Sequence, residues 1–190
     1  MKRLIALTIL TFAIAASAAS IWTVKTAEEA NAFTKPQEKA LALNVAKLAS
    51  RDYATYAELK QFAAANEIKL TNSVVPGFVW YQKQAFAADM IKDAEIPYRA
   101  KGSVICSAYD KGVITANDLM TMAPEILKDT NDSTLALRLV KQLEKTDADE
   151  KALLACLKKC RRFAYPKISA SDGWKKVNVQ IELLIKAIEP

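Results

Sequence analysis

The chain has 190 residues, of which 52% are hydrophobic and 25% are charged, as in an ordinary globular domain. Its four glycines and six prolines are too few for a turn-rich all-β sandwich or barrel. The chain contains no histidine, which excludes Ser-His-Asp and Cys-His catalysis, histidine-ligated zinc or haem, and a histidine pH switch. The formal charge of +6 is a mild excess that does not by itself imply a polyanionic partner.

The first eighteen residues have the order of a secretory signal peptide. Lys2 and Arg3 precede an apolar run over 4–16, and a small-residue cleavage site follows at 16–18. The run is too short and wrongly flanked for a membrane span. We therefore predict a signal peptide over 1–18, export to the periplasm or the medium, and no transmembrane segment in the mature chain. Without Lys2 and Arg3, the formal charge of +6 falls by two to about +4.

The mature chain is predicted to be helical. Residues 19–35 form a partly ordered N-terminal segment, in which Trp22 is either a loose end or a docked anchor, and 36–190 form one helical domain. Helix starts are marked by prolines and by capping-box patterns such as the one at Thr115–Asp118. Hydrophobic periodicity between these signals predicts helices near 36–50, 55–66, 78–94, 97–112, 115–128, 131–143, 147–164 and 172–188.

These patterns predict an all-α protein with about eight helices after the signal peptide. Pro124 is expected to interrupt or restart the fifth of them. Short connections favour an antiparallel helical bundle. Helix starts that recur every ~40 residues favour instead a short helical-hairpin, solenoid-like array, although the residues themselves do not repeat. Both arrangements stay open at this point.

Three cysteines, Cys106, Cys156 and Cys160, are expected to be oxidised if the compartment is oxidising. Cys156 and Cys160 lie four residues apart on one predicted helix, where nearly parallel Cβ directions disfavour a bridge. We therefore expect a disulfide from Cys106 to Cys160 or Cys156, with the third thiol buried or free. A redox or metal role is disfavoured, because C-x-x-x-C is not C-x-x-C and no histidine or fourth cysteine completes a zinc set. No metal or cofactor is predicted.

A basic cluster lies between residues 158 and 176, with Asp172 as its single acid. Such a surface suits phosphates, an anionic glycan or acidic lipid headgroups. The alternative is a solvated helix face whose cations complement the helix dipole. Arg161 and Arg162 project to different sides of their helix, which weakens a single patch. The candidate partner-binding residues are Lys158, Lys159, Arg161, Arg162, Lys167, Lys175 and Lys176.

Nucleotide-binding glycine loops and the G-x-S-x-G hydrolase motif are absent from the sequence. We therefore predict an exported, non-catalytic helical protein that binds a protein or an anionic polymer of the cell envelope, and no specific nucleic acid. One alternative is a glycan-active enzyme using a carboxylate, with Glu67, Glu95 and Glu125 as candidates. Another is a carrier of a small apolar ligand, with residues 78–91 as one wall of its cavity.

Overall fold

The computed structural model describes residues 20–189, so the signal peptide predicted over 1–18 lies outside the described residues. Residues 20–189 form helices, turns and connecting segments without a β-strand, which confirms the all-α class. The α-helices in this range are α1 (Ala27–Asn31), α2 (Pro36–Ala49), α3 (Tyr56–Ala65), α4 (Val74–Gln82), α5 (Ala87–Lys92), α6 (Tyr98–Asp110), α7 (Ala116–Asp129), α8 (Ser133–Glu144), α9 (Glu150–Ala164) and α10 (Asp172–Ile188). Short 3-10 turns occupy Ile21–Thr23, Gln84–Phe86 and Tyr165–Ala170.

The expected count of about eight helices was too low for two reasons. First, α1 forms within the N-terminal segment, where the Thr26 side chain accepts a hydrogen bond from the amide of Glu29 and caps the helix. Second, the helix expected over 78–94 is divided into α4 and α5 at Lys83, which has left the helical conformation. The earlier start of α4 places Pro76 in its first turn, where the missing N–H costs no helical hydrogen bond.

The expectation that Pro124 breaks its helix was wrong, since α7 runs without interruption from Ala116 to Asp129. The predicted capping box at its start is present, with Thr115 and Asp118 exchanging side-chain and backbone hydrogen bonds. Proline has no N–H, so the carbonyl of Met120, four residues earlier, has no helical partner. The Cys156 thiol donates to that oxygen at 3.3 Å and so replaces the missing backbone N–H.

The helices pack mainly against neighbours one or two elements away along the chain. The even-numbered helices form a continuous series in which α2 contacts α4, α4 contacts α6, α6 contacts α8 and α8 contacts α10. Helix α7 contacts both α6 and α9, and α9 also packs on α10. The core side chains come from almost every helix and include Leu48, Leu59, Phe78, Ile105, Leu127, Leu139 and Leu157.

The N-terminal segment is docked onto α4. The Trp22 indole stacks on Tyr81 with ring centroids 6.5 Å apart, and it lies so close to Gly77 that any Cβ there would overlap the ring. The Gln82 side-chain amide donates to the carbonyls of Trp22 at 2.8 Å and Val24 at 2.9 Å. Trp22 is therefore a docked anchor rather than a loose end. None of the helices between residues 20 and 189 combines the length and apolarity that crossing a membrane requires.

Candidate functional site

Two adjoining depressions between α5, α6 and α7 form the candidate site, which we call the α5–α7 groove. Lys92 and Tyr98 line both depressions and so mark their boundary. The charged end encloses about 500 Å³ and is lined by side chains that include Lys101, Glu125, Lys128 and Asp129. The other end, of about 380 Å³, is mainly apolar and is lined by Ala88, Ile91, Val113, Ile114 and Met122, with Asp118 and Thr121.

Lys101 is the unusual residue of the charged end, because only 2% of its surface is exposed. Its ammonium donates to the carbonyls of Ile91 at 2.7 Å and Asp93 at 2.6 Å, and so caps the C-terminus of α5. The same nitrogen lies 4.9 Å from the centre of the Tyr98 ring. An ammonium has three N–H donors, so one remains for a further acceptor.

A carboxylate lies near Lys101 but is bound to other groups. Asp93 forms an ion pair with Lys60 at 2.8 Å and accepts a hydrogen bond from the Tyr56 hydroxyl at 2.8 Å. Burial raises the pKa of Asp93, but hydrogen bonds from Lys60, the Glu95 amide and Tyr56 outweigh it and hold that pKa below its usual range. Burial lowers the pKa of Lys101 against a weaker opposing effect of Asp93. Within residues 20–189, Lys101 has no ion-pair partner of its own.

The two acids that line the charged end, Glu125 and Asp129, are likewise engaged by cations or amides. Glu125 pairs with Lys128 at 3.4 Å, and Asp129 accepts a hydrogen bond from the backbone amide of Arg99 at 2.8 Å. Asp129 also pairs with the Arg99 guanidinium at 3.4 Å. The charged end therefore combines partnered acids with the buried ammonium of Lys101, an arrangement that favours an anionic group.

The carboxylates proposed for glycan cleavage do not have the surroundings that such chemistry requires. Glu67 and Glu95 are exposed, and Glu95 pairs with Lys60 at 3.1 Å. Glu125 lines the groove, but its side chain is 46% exposed and faces Lys128. A catalytic acid of this class needs a raised pKa in a buried cleft. The carboxyl groups with clearly shifted pKa values in the described part of the chain are all shifted downward: Asp52, Asp93, Asp110 and Asp118.

The seven cations of the predicted basic cluster differ in their surroundings. Three form ion pairs: Lys158 with Glu189, Arg161 with Glu182, and Lys175 with Asp172. Lys167 is directed inward. The remaining three are exposed on two different helices and make no ion pair with the residues that the structure describes: Lys159, Arg162 and Lys176.

Lys167 has a structural role at the C-terminus of α7. Its ammonium donates to the carbonyls of Leu127 at 2.7 Å, Lys128 at 3.1 Å and Thr130. It also lies 4.8 Å from the centre of the Trp174 ring. Burial lowers its pKa, partly offset by Asp129. All three N–H donors of Lys167 are used within the fold, so this residue has none left for a partner.

The expected disulfide from Cys106 is not present, and all three cysteines are free and buried. Helix α7 packs between α6, which carries Cys106, and α9, which carries the other two thiols, so the expected partners are on separated helices. Cys156 and Cys160 instead face one another on α9, with sulfurs 3.9 Å apart. Burial raises the pKa of Cys106 to about 12.

Sequence reasoning did not single out Lys101 or the groove. The available signal was the position of Lys101 on a predicted helix, where Ala100, Val104 and Ile105 surround it and all become buried. A lysine in such a position needs acceptors from elsewhere in the fold, because a charged group without partners is costly to bury. Those acceptors, the carbonyls of Ile91 and Asp93, come from the end of the preceding helix.

Comparison of the chain with models of known protein families, with curated proteins and with solved structures finds no match.

Proposed function

We propose that this is a non-catalytic helical binding protein that holds a small amphiphile with an anionic headgroup in the α5–α7 groove. The observation that carries the proposal is the buried ammonium of Lys101, which keeps one donor at the charged end of a groove whose other end is apolar. The proposal develops the apolar-ligand alternative from the sequence by adding a charged end to the cavity.

The headgroup is expected to be an anion because it completes the hydrogen bonding of Lys101. Charge-assisted hydrogen bonds between ammonium and carboxylate are stronger than neutral ones, and burial away from water increases the attraction. Lys92 stands at the boundary of the two depressions and adds a second positive charge. A carboxylate is therefore favoured over a neutral hydroxyl at this end.

The apolar end is suited to a short hydrocarbon chain. Ile91, Ile114 and Met122 provide aliphatic and thioether surface, and the two volumes of about 500 and 380 Å³ lie in the range of sites for small ligands. Each buried methylene contributes roughly 0.8 kcal/mol. A medium-chain fatty acid combines both features and is the simplest probe of the proposal.

The test is calorimetric titration of the protein with decanoate, using decanol as the neutral counterpart. Wild type is expected to bind one decanoate per chain, and Lys101→Met to lose at least tenfold in affinity. Lys167→Met is the charge-matched control, because it removes the same charge from a lysine that also caps a helix but does not itself line the groove. Equal decanoate affinity in wild type and Lys101→Met, or no binding by wild type, would contradict the proposal.

A second variant tests the apolar end independently. Ala88→Phe places a large ring in the depression that Ala88 lines and is expected to weaken decanoate binding. The exposed position of Ala88 makes this variant tolerable for folding. Unchanged affinity for decanoate would place the hydrocarbon chain elsewhere.

We also propose that the protein is exported by its signal peptide and acts in the periplasm or outside the cell. The support is the sequence pattern of residues 1–18. Mass spectrometry of the protein recovered from its compartment is expected to find a mature end near Ala19. Full-length protein in the cytosol would contradict export.

A second candidate function is binding of a protein or an anionic envelope polymer through the basic region. It is supported by Lys159, Arg162 and Lys176, which remain exposed without an ion-pair partner among the described residues. The double charge reversal Arg162→Glu and Lys176→Glu is expected to abolish retention on an anionic polymer column. Reversal of the paired Lys158 serves as the control. Unchanged retention of the double variant would remove this surface from consideration.

Of the two arrangements open from the sequence, we propose the solenoid-like array of helical hairpins. It is supported by the series of contacts among even-numbered helices, since arrays of this kind bury their core between successive units. Hydrogen exchange tests the arrangement, because the terminal units of an array open before the centre. Exchange of all core amides through one global unfolding would favour a single bundle.

A further inference from the structure

We propose that Cys156 and Cys160 form a two-thiolate site for a soft monovalent cation such as Cu⁺ or Ag⁺. The two sulfurs lie 3.9 Å apart on adjacent turns of α9. Two thiolates on one metal ion, with bonds of about 2.3 Å, lie about 3.8 Å apart at a tetrahedral angle and about 4.6 Å apart in the near-linear arrangement of a two-coordinate ion. The two sulfurs therefore need to separate by less than about 1 Å for one ion to bridge both of them.

The surroundings hold Cys156 at the interface between α9 and α7. Pro124 leaves the Met120 carbonyl without a helical donor, and the Cys156 thiol donates to it at 3.3 Å. Cys156 also lines a depression of about 430 Å³ whose other walls include Met120, Pro124 and Lys159. This depression adjoins Cys156, the outer thiol of the pair, whereas Cys160 is fully buried behind it.

The charges balance when a monovalent ion binds. Each thiol gives its proton to solvent, and the hydrogen bond from Cys156 to the Met120 carbonyl is lost with that proton. The two thiolates and one M⁺ together carry a single negative charge. The Lys159 ammonium, which helps to lower the pKa of Cys156, offsets that charge. The hydrogen bond between the sulfurs lowers the pKa of Cys156 and raises that of Cys160. Binding therefore releases two protons and is expected to strengthen as pH rises.

The ligand set favours a soft monovalent ion over zinc. Structural zinc sites use four protein ligands, and residues 20–189 contain no cluster of three or more histidine, cysteine, aspartate or glutamate side chains placed for a metal. Soft thiolates select ions such as Cu⁺, for which two sulfur ligands are sufficient. From the sequence, a metal role was disfavoured because no histidine or fourth cysteine completes a zinc set. Cu⁺ and Ag⁺ do not need such a set, so that reason does not exclude them.

The experiment adds Ag⁺, a redox-stable probe, to reduced full-length protein and measures stoichiometry by native mass spectrometry and the shift of Tm. Wild type is expected to bind one Ag⁺ per chain with a rise in Tm. Cys156→Ser, Cys160→Ser and the double variant are expected to lose that ion. Cys106→Ser is the matched control, because it removes a buried thiol on α6 and leaves the pair intact.

Three results would overturn the proposal: no Ag⁺ bound by wild type, retention of the ion by the Cys156→Ser, Cys160→Ser double variant, or its loss in Cys106→Ser. A far-ultraviolet circular dichroism spectrum checks that each variant is folded. If Cys156→Ser does not fold, Cys160→Ser alone decides the question. The hydrogen bond to the Met120 carbonyl comes from Cys156, so replacing Cys160 leaves it in place. Decanoate titration of the same variants is expected to be unchanged, so failure here leaves the proposal for the groove standing.

Discussion

Lys101, which is buried, and Lys167, which is half-buried, close helix ends in the same way and differ in the number of acceptors they meet. Each donates to carbonyls at the C-terminus of an earlier helix, α5 or α7, and each lies within 5 Å of an aromatic ring centre, at 4.9 and 4.8 Å. Lys167 has three carbonyl acceptors, whereas Lys101 has two. The comparison separates a lysine whose three donors are all used within the fold from one that has two acceptors there.

This difference explains why one lysine adjoins a groove and the other does not. A helix C-terminus leaves four carbonyls without partners, and a lysine ammonium satisfies up to three of them. Lys167 donates to three carbonyls and so has no donor left. Lys101 donates to two carbonyls, and the space beside it is the charged end of the α5–α7 groove. A similar capping contact thus uses every donor at α7 and leaves one donor beside a depression at α5.

The largest expected effect is that of Lys167→Met on stability. Three carbonyls at the end of α7 lose their donor, and a hydrogen bond to a charged group contributes roughly 1.5–3 kcal/mol net, less where the group is partly exposed. We expect the free energy of unfolding to fall by about 2–3 kcal/mol, measured by urea denaturation. A loss below about 0.5 kcal/mol would show that the two lysines are not comparable caps.

Lys101→Met is expected to have a smaller effect on stability, a loss of about 1–2 kcal/mol. The variant leaves two carbonyls without a donor but also removes the cost of burying an ammonium. Urea denaturation under the same conditions checks the order of the two variants. The reverse order would mean that Lys101 is the more complete cap and would weaken the argument for its free donor.

Two other helix ends are closed by the backbone instead of by a lysine, and they can be compared with the two lysine caps. Helices α3 and α6 both end with paired backbone hydrogen bonds around a left-handed residue, Glu67 with φ of 58° and Gly112 with φ of 68°. Glycine adopts this conformation without the Cβ clash that glutamate suffers. Glu67→Gly is expected to raise the free energy of unfolding by about 1 kcal/mol, and Gly112→Ala to lower it by about 1 kcal/mol. Thermal melts measure both changes, and a lower Tm for Glu67→Gly or a higher Tm for Gly112→Ala would contradict this explanation.

The smallest expected effect is a pH dependence. Burial holds the pKa of Lys101 below its usual 10.5, so between the folded value and 10.5 the unfolded chain binds more protons than the folded one. Stability from this group therefore rises with pH in that window. The stability gap between wild type and Lys101→Met is expected to widen from pH 7 toward 10.5. Urea denaturation at several pH values measures the gap, and a constant gap would contradict the shifted pKa.

Features encoded by neighbouring residues were predictable. Thr115 caps α7 as its pattern indicates, and the start of α2 at Pro36 agrees with the expected one. Such signals work because a capping side chain reaches only a few residues along its own chain. The interruption at Pro124 was wrongly predicted because the thiol that stabilises the freed carbonyl comes from α9, 36 residues away.

The candidate site was mostly beyond the reach of the sequence. The basic cluster was visible as composition, but the ion pairs of Lys158 and Arg161 and the inward direction of Lys167 depend on packing between elements. The disulfide expectation failed for the same reason, since α7 lies between Cys106 and the thiols of α9. A side chain's charge is a property of the sequence, whereas its partners are a property of the fold.

By itself, the sequence determined the all-α class, the approximate extent of the main helices, the pair of thiols one helical turn apart and the absence of imidazole chemistry. These follow from interactions within a few residues, which the local pattern contains. Only the tertiary structure decided that Lys101 is buried beside a groove, that Trp22 is anchored on Gly77, and that the Cys156 thiol faces the Met120 carbonyl. These features depend on contacts between helices, where close packing and hydrogen-bond partners distant in the chain decide which side chains meet.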